Sequence, residues 1–451
     1  MRAHPGRVDT LPFMNDGRPG AVDMTGGVDG GGPGRAADPA PAARAGWDVL
    51  DLLGEIEGIG VDPGRGGYSR FVFEPAEMEL RAWFTRRAVA LGLAVEPDRN
   101  GNIWAYWGAR GDGTIAAGSH LDSVPGGGAL DGPLGVASAL SAVARLKAQG
   151  FTPPRPVAVV AFAEEEGSRF GIACLGSKLT AGSIAAESAL RLTDSAGLTF
   201  ADAAASAGVD PDGIGRDDAR LAELAAFVEL HVEQGRGLAD VGAPVAVASG
   251  ILAHGRWRLR FTGEGNHAGA TPMAGRRDPL PAAAAAILAA RAIATSHDDP
   301  GSGAHARATV GRLVPVPGGT NVIASRVDAW LDLRGDADDS TRALLAEVLA
   351  AAEEAAAEHG CALEVTEESY ADTVVFDPAL RDRLGDALGH PPVLATGAGH
   401  DAGVLAAELP TAMLFVRNPT GVSHSPFETA SDDDCRAGVE ALTAVLRDLI
   451  G

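Results

Sequence analysis

In GSHLDSVPGGGALDG, His120 and Asp122 lie two residues apart at the end of an apolar run. Positions i and i+2 of an extended chain face the same way, so the Asp122 carboxylate can support the His120 imidazole as it would a metal-ligating histidine. Asp131 follows eleven residues after His120, flanked by Gly126 to Gly128 and by Gly132, which permit a sharp loop that returns its carboxylate to the same place. A second apolar run, VAVVAF, leads into Glu164, Glu165 and Glu166. Three adjacent acids ordinarily mark a solvated loop. Here they follow the carboxyl end of a buried strand, where open α/β sheets place their sites, and two neighbouring glutamates can divide the work of holding a metal and moving a proton.

FVELHVEQG sets Glu229, His231 and Glu233 on one face of a strand and Val228, Leu230 and Val232 on the other. A half-buried strand with a polar outer face accounts for Glu229, and a lone His231 is more often structural than ligating. FVRNPTGVSHSPFE is again an apolar run followed by a loop, and it presents His424. Three histidines and two or three carboxylates suit two borderline divalent cations sharing one carboxylate. Asp131 is the expected bridge, with His120 and His231 completing one ion and Glu166 and His424 the other. The ion pair would acidify a water, and Glu165 would take and return its proton. Zinc or manganese is expected, with cobalt or nickel as substitutes.

These groups require strands to carry them. Ile103 to Trp107, Ile115 to Ser119, Val157 to Phe162, Phe227 to Val232 and Ala412 to Val416 read as strands, and Leu134 to Gln149 carries the apolar stripe of a helix. The alternation predicts an α/β fold: a central, mostly parallel sheet flanked by helices. The middle of the chain reads differently, with strands at Trp257 to Phe261 and Arg326 to Arg334 and helices at Pro281 to Thr295 and Thr341 to His359. The expected organisation is therefore a discontinuous catalytic domain, residues 46–251 and 367–451, interrupted by a smaller α+β lid or dimerisation domain at 252–366. Residues 1–45 hold nine Gly, six Pro and Phe13 as their one aromatic, the composition of a flexible tail.

With 451 residues the chain can build two or three domains. Its 60 Asp and Glu against 37 Lys and Arg give a net charge of −23, a field that disfavours nucleic acid and anionic lipid and favours a cation. Cys174, Cys361 and Cys435 are too few and too widely spaced for a disulfide framework, which points to a cytoplasmic protein. The longest apolar helical stretch, Pro281 to Ala290, is stopped by Arg291, and no membrane span is expected.

Taken together, the four motifs resemble the ureido-hydrolysing branch of the dinuclear aminoacylase and carboxypeptidase type metallohydrolases, which includes N-carbamoyl-L-amino acid hydrolases, β-ureidopropionases and allantoate amidohydrolases. The likeness runs from about Trp47 to the C-terminus. It implies that His120, Asp131, Glu166, His231 and His424 are the metal ligands, that Glu165 is the base, and that Asp122 orients His120. GNHAGATPMAGRRDPL is similar to the family's HAG motif, which implies that His267 stabilises the oxyanion in the active site of a partner subunit; Ala270 stands where the family usually has Thr. GGTNVIAS and DLRGD are similar to segments that supply a substrate-binding asparagine and arginine, here Asn321 and Arg334, able to act across a homodimer interface. Gln234 and His400 are implied as further substrate contacts. The segments around Tyr68, Trp257 and His424 are most similar to those of allantoate-hydrolysing members.

The expected activity is cleavage of a ureido C–N bond in a small carboxylate, first allantoate, giving ureidoglycine, ammonia and carbon dioxide. N-carbamoyl-L-amino acids come next, then dipeptide or acylamino acid substrates, and last a metal-binding protein without catalysis.

Overall fold

The computed structural model describes residues 46–299 and 305–451; the expected tail at 1–45 lies outside them. The larger of its sheets has nine strands. Four form its parallel centre, in the order Val157–Phe162, Thr114–His120, Leu224–Val232, Thr411–Val416. Antiparallel strands flank them, Ile103–Trp107 and then Ala94–Pro97 on one side and Val245–Ile251 on the other.

The central strands are apolar because both of their faces are covered. Val228, Leu230 and Val232 pack with Leu140, Val143 and Leu146 of the helix Pro133–Ala148 and with Leu442 and Leu446 of the helix Asp432–Ile450. The half-buried reading of the Glu229 strand is corrected here. Apart from half-buried Ala225, every residue of Leu224–Val232 is buried. Glu229 therefore has to be satisfied internally, and it accepts from Ser119 Oγ at 2.8 Å and from the Ala402 amide at 2.9 Å.

A second, four-stranded antiparallel sheet is built from the stretch Ala253 to Ala371, in the order Ala362–Ala371, Ala253–Thr262, Arg326–Gly335, Ala306–Val316. Its last strand in sequence runs on past residue 366. Helices Pro279–His297 and Asp338–Glu358 cover one face, burying Ala282, Ala283, Ala286, Leu344 and Val348 against Trp257, Phe261 and Leu331. By length and composition alone Pro279–His297 could cross a membrane. Its alanine face is instead packed on this sheet, which is what a core helix of a small domain requires.

Candidate metal centre and its cavity

The carboxyl ends of the four parallel strands meet at one place, the crevice where sheets of this kind carry their ligands. His120 ends its strand, Glu165 and Glu166 follow Phe162, His231 lies one residue before the end of its strand, and the loop after Val416 brings in His424. Asp131 stands at the centre. Its Oδ1 is 3.2 Å from His231 Nε2 and 3.7 Å from His120 Nε2, while its Oδ2 is 3.5 Å from His424 Nε2. Glu166 Oε2 is also 3.5 Å from His424 Nε2. Two ligand groups result, His120–Asp131–His231 and Asp131–Glu166–His424, with Asp131 common to both.

The loop geometry that produces this is specific. Gly132 has φ of +83°, and a Cβ there would lie 2.5 Å from the His120 ring, so only glycine lets Asp131 turn back beside that histidine. Glu164, Cys174 and His424 hold φ of +53°, +55° and +53°, uncommon for residues with side chains, and all three adjoin the crevice.

Asp122 supports the cluster differently from the sequence expectation. His120 Nδ1 is 3.1 Å from the Asp122 backbone carbonyl and 3.6 Å from its carboxylate. The carboxylate instead accepts the amides of Glu165 at 3.2 Å and Glu166 at 3.1 Å. One residue thus fixes the first histidine through its main chain and the two glutamates through its side chain. His231 Nδ1 is likewise 2.9 Å from the Val232 carbonyl, which turns Nε2 of both histidines toward Asp131.

Electrostatically the site calls for positive charge. Burial, reinforced by Asp131, pushes the Glu166 carboxyl up to about 8. Burial also holds the Glu165 carboxyl well above the ordinary range, against the opposing pull of His120. His231 Nε2 has no hydrogen-bond donor or acceptor in good geometry among the described residues, although it is buried. Crowded carboxylates and a buried, unpartnered imidazole nitrogen are what a divalent cation would satisfy, so these residues fit the metals implied by the sequence.

Beside the cluster is a cavity of about 240 Å³. Glu165, Gln234 and His400 line it from the large sheet, and His254, Arg256, Asp332 and Arg334 from the small one. Gln234 Nε2 donates to Asp131 Oδ2 at 3.3 Å. His400 is buried with neither ring nitrogen hydrogen-bonded among the described residues, 4.6 Å from His231 between ring centres. Arg334 therefore reaches the cavity of its own chain.

His267 and Asn321 do not line that cavity. They sit together on the exposed end of the small domain, joined by the Ala268 amide to the Asn321 carbonyl at 2.9 Å and by the pairing of His267 with Val322. His267 Nδ1 accepts the amides of Gly269 and Ala270 at 3.1 and 3.0 Å, which leaves Nε2 outward as a donor.

Sequence reasoning missed three residues of the site. Cys174 donates its thiol to Glu165 Oε1 at 3.2 Å. Glu428, four residues beyond His424 in SHSPFE, is buried and pushed up to about 7, first by burial and then by Asp131; it closes over Gly128, where a Cβ would meet its Oε1 at 2.3 Å. His254 begins the segment HGRWR, whose likeness to the allantoate-hydrolysing members did not single out this residue at the start of its strand.

A mixed α/β sheet that gathers five metal-type ligands and a glutamate at its strand ends defines a hydrolase of the metallopeptidase class. Residues 116–448 match the model of Peptidase family M20/M25/M40, and the chain belongs to that family. It is 38% identical over 409 residues to an N-carbamoyl-L-amino acid amidohydrolase of Geobacillus stearothermophilus, covering 88% of this chain and 96% of that one. It is 32% identical to the allantoate amidohydrolase of Escherichia coli K12, over 89% of this chain and 97% of that protein. Among solved structures, an amidase of the hydantoinase/carbamoylase family from Burkholderia multivorans superposes with a TM-score of 0.79 at 30% identity, covering 90% of this chain and 98% of that one.

Proposed function

We propose that this hydrolase is a two-metal amidohydrolase that cleaves the terminal ureido C–N bond of a small carboxylate, with allantoate as first substrate. The observation that carries the reading is the sharing of Asp131 between two ligand groups, with Glu165 Oε2 3.7 Å from His120 Nε2 and Arg334 on the opposite wall of the same cavity. His120, Asp131 and His231 would hold one cation, and Asp131, Glu166 and His424 the other. The all-nitrogen-and-oxygen donor set suits zinc or manganese. When bound, such a pair polarises the scissile carbonyl and acidifies a water.

The chain's own groups do the rest. Glu165, buried and proton-avid, takes the proton of the attacking water and passes it to the departing nitrogen, so ammonia leaves and the resulting carbamate loses carbon dioxide. Arg334 has five N–H donors. Asp332 takes Nε–H at 2.8 Å and one Nη2–H at 3.3 Å, and the Gly397 carbonyl takes one from Nη1. One N–H is left on each terminal nitrogen to donate to a substrate carboxylate.

The relatives at comparable identity include hydrolases of both carbamoyl amino acids and allantoate. The cavity wall favours the more polar substrate. Among the described residues its apolar side chains are Ala173 and Ala398, which offer little to an aliphatic or aromatic side chain. N-carbamoyl-L-amino acids remain the second reading on the strength of the relatives.

The stretch from about 252 to 366 serves in this reading as lid and dimerisation domain, placing His267 and Asn321 in the site of a second copy to stabilise the oxyanion. Among the described residues the strand Ala306–Val316 pairs on one side only, and Leu288 is 69% exposed on the neighbouring helix, both of which a second copy could cover. Three free thiols suit a cytoplasmic setting. Ammonia release from allantoate and from N-carbamoyl-L-amino acids after manganese loading is the test: turnover of allantoate supports the reading, and silence with both substrates overturns it.

A further inference from the structure

The cavity wall contributed by the small sheet holds an imidazole that the proposed chemistry does not use. His254 lines the wall that faces the ligand cluster, opposite Arg334 on the neighbouring strand and two residues before Arg256 on its own. Its Nδ1 lies 3.1 Å from the Leu252 carbonyl, which can only accept, so Nδ1 carries the ring proton. Nε2 is then a lone-pair acceptor, and it has no partner among the described residues. Burial, with the positive charge of Arg334 beside it, lowers the affinity of this ring for a second proton. Its free nitrogen is therefore an unengaged acceptor on this wall, where the carboxylate of Asp332 is already held by Arg334.

An acceptor with no partner of its own sorts substrates. The Arg334 fork takes a carboxylate, and the ligand cluster takes one ureido group. A substrate that also bears N–H donors on the carbon between these two can satisfy His254; one that bears hydrogen or an alkyl group there cannot. We infer that His254 is a specificity-determining residue whose Nε2 accepts an N–H hydrogen bond from a second ureido arm of the substrate. This rests on the allantoate reading and adds the contact that would separate allantoate from N-carbamoyl amino acids. Refusing a partner to a desolvated N–H is the costly side of the comparison, which is why one acceptor can discriminate strongly.

The test compares kcat/KM for allantoate and for N-carbamoylglycine, which lacks the second arm, in the full-length metal-loaded enzyme and in His254→Leu and His254→Gln. In His254→Leu, allantoate turnover is expected to fall about 10- to 100-fold while N-carbamoylglycine turnover stays within about threefold. His254→Gln, whose amide oxygen can accept, is expected to recover part of the allantoate loss alone. The N-carbamoylglycine activity reports folding and metal loading in each variant. An equal fall for both substrates, or no fall for allantoate, overturns the role of His254 while leaving the ureido reading intact. A wild-type enzyme that does not turn over allantoate overturns the allantoate reading and the role of His254 with it.

Discussion

The Cys174 thiol donates to Glu165 Oε1 at 3.2 Å, and Glu165 Oε2 is left facing His120 Nε2 at 3.7 Å. One oxygen of the proposed base is tied down and the other is aimed at the ligand cluster. Burial keeps the thiol protonated, so it can only donate. Glu165→Gln is expected to retain metal and lose at least about a thousandfold in kcat. Cys174→Ala should lower kcat by up to about tenfold with KM little changed, and Cys174→Ser should restore most of it. Steady-state kinetics beside metal analysis checks both; an active Glu165→Gln enzyme removes Glu165 from its role.

Because Asp131 belongs to both ligand groups, its loss should differ in kind from that of its neighbours. Asp131→Ala is expected to bind neither cation tightly, while His231→Ala and His424→Ala should each weaken a different one. Elemental analysis of dialysed protein, expressed as metal per chain, distinguishes these cases. Equal retention in all three variants would contradict the shared-carboxylate arrangement.

The raised Glu166 carboxyl makes metal binding pH-dependent. A carboxyl with a folded value near 8 and an ordinary value of 4.5 keeps a proton in the folded metal-free chain that the unfolded chain gives up between those limits. The unfolded state thus holds fewer protons across that window, and the stability contribution of this group falls as pH rises. Chelated protein is therefore expected to melt at lower temperature at pH 8 than at pH 5.5, if the other groups balance, and added metal should restore more at pH 8, releasing protons on binding. Calorimetry in buffers of different ionisation enthalpy measures that release; its absence would contradict the assignment of Glu166 as a ligand.

Gly132→Ala should be far more damaging than an ordinary loop substitution. The added Cβ meets the His120 ring at 2.5 Å, and φ of +83° is itself strained for alanine. A loss of about 2 kcal/mol or more, together with loss of the metal held by His120, is expected from chelator-free thermal melts and metal analysis.

If His267 serves the site of a second copy, two inactive variants should complement each other. Mixing Glu165→Gln with His267→Ala chains gives hybrid dimers in which one site has both groups, so about a quarter of wild-type activity should return after subunit exchange. No recovery from demonstrably mixed dimers would place His267 outside the reaction.

The central strands and the residues that gather in the cluster were legible in the sequence for one physical reason. Strands buried on both faces must be apolar throughout, and His120, Glu166 and His231 lie in or within a few residues of such a run, while Asp131 and His424 come on the loops that follow. The short outer strands, such as Ala94–Pro97 and Val393–Thr396, carry too few residues for a period to show. The edge strand Ala306–Val316 was hidden because its side chains are largely exposed and mixed. Glu428 and His254 were missed because each is defined by partners far away in sequence, Gly128 and the groups across the cavity, and Cys174 because the nine residues that separate it from Glu165 follow no regular period. The Asp122 carbonyl beside His120 could not be read from the sequence, since backbone acceptors leave no trace in residue type.

Anomalous diffraction from crystals grown with zinc or manganese, collected at the metal edge, is the most direct test of the shared Asp131 site. Two peaks roughly 3.5 to 4 Å apart are expected, one between His120 and His231, the other between Glu166 and His424, with Asp131 touching both. A single peak in fully loaded protein, or peaks that Asp131 does not bridge, would contradict the two-metal site on which the proposed activity stands.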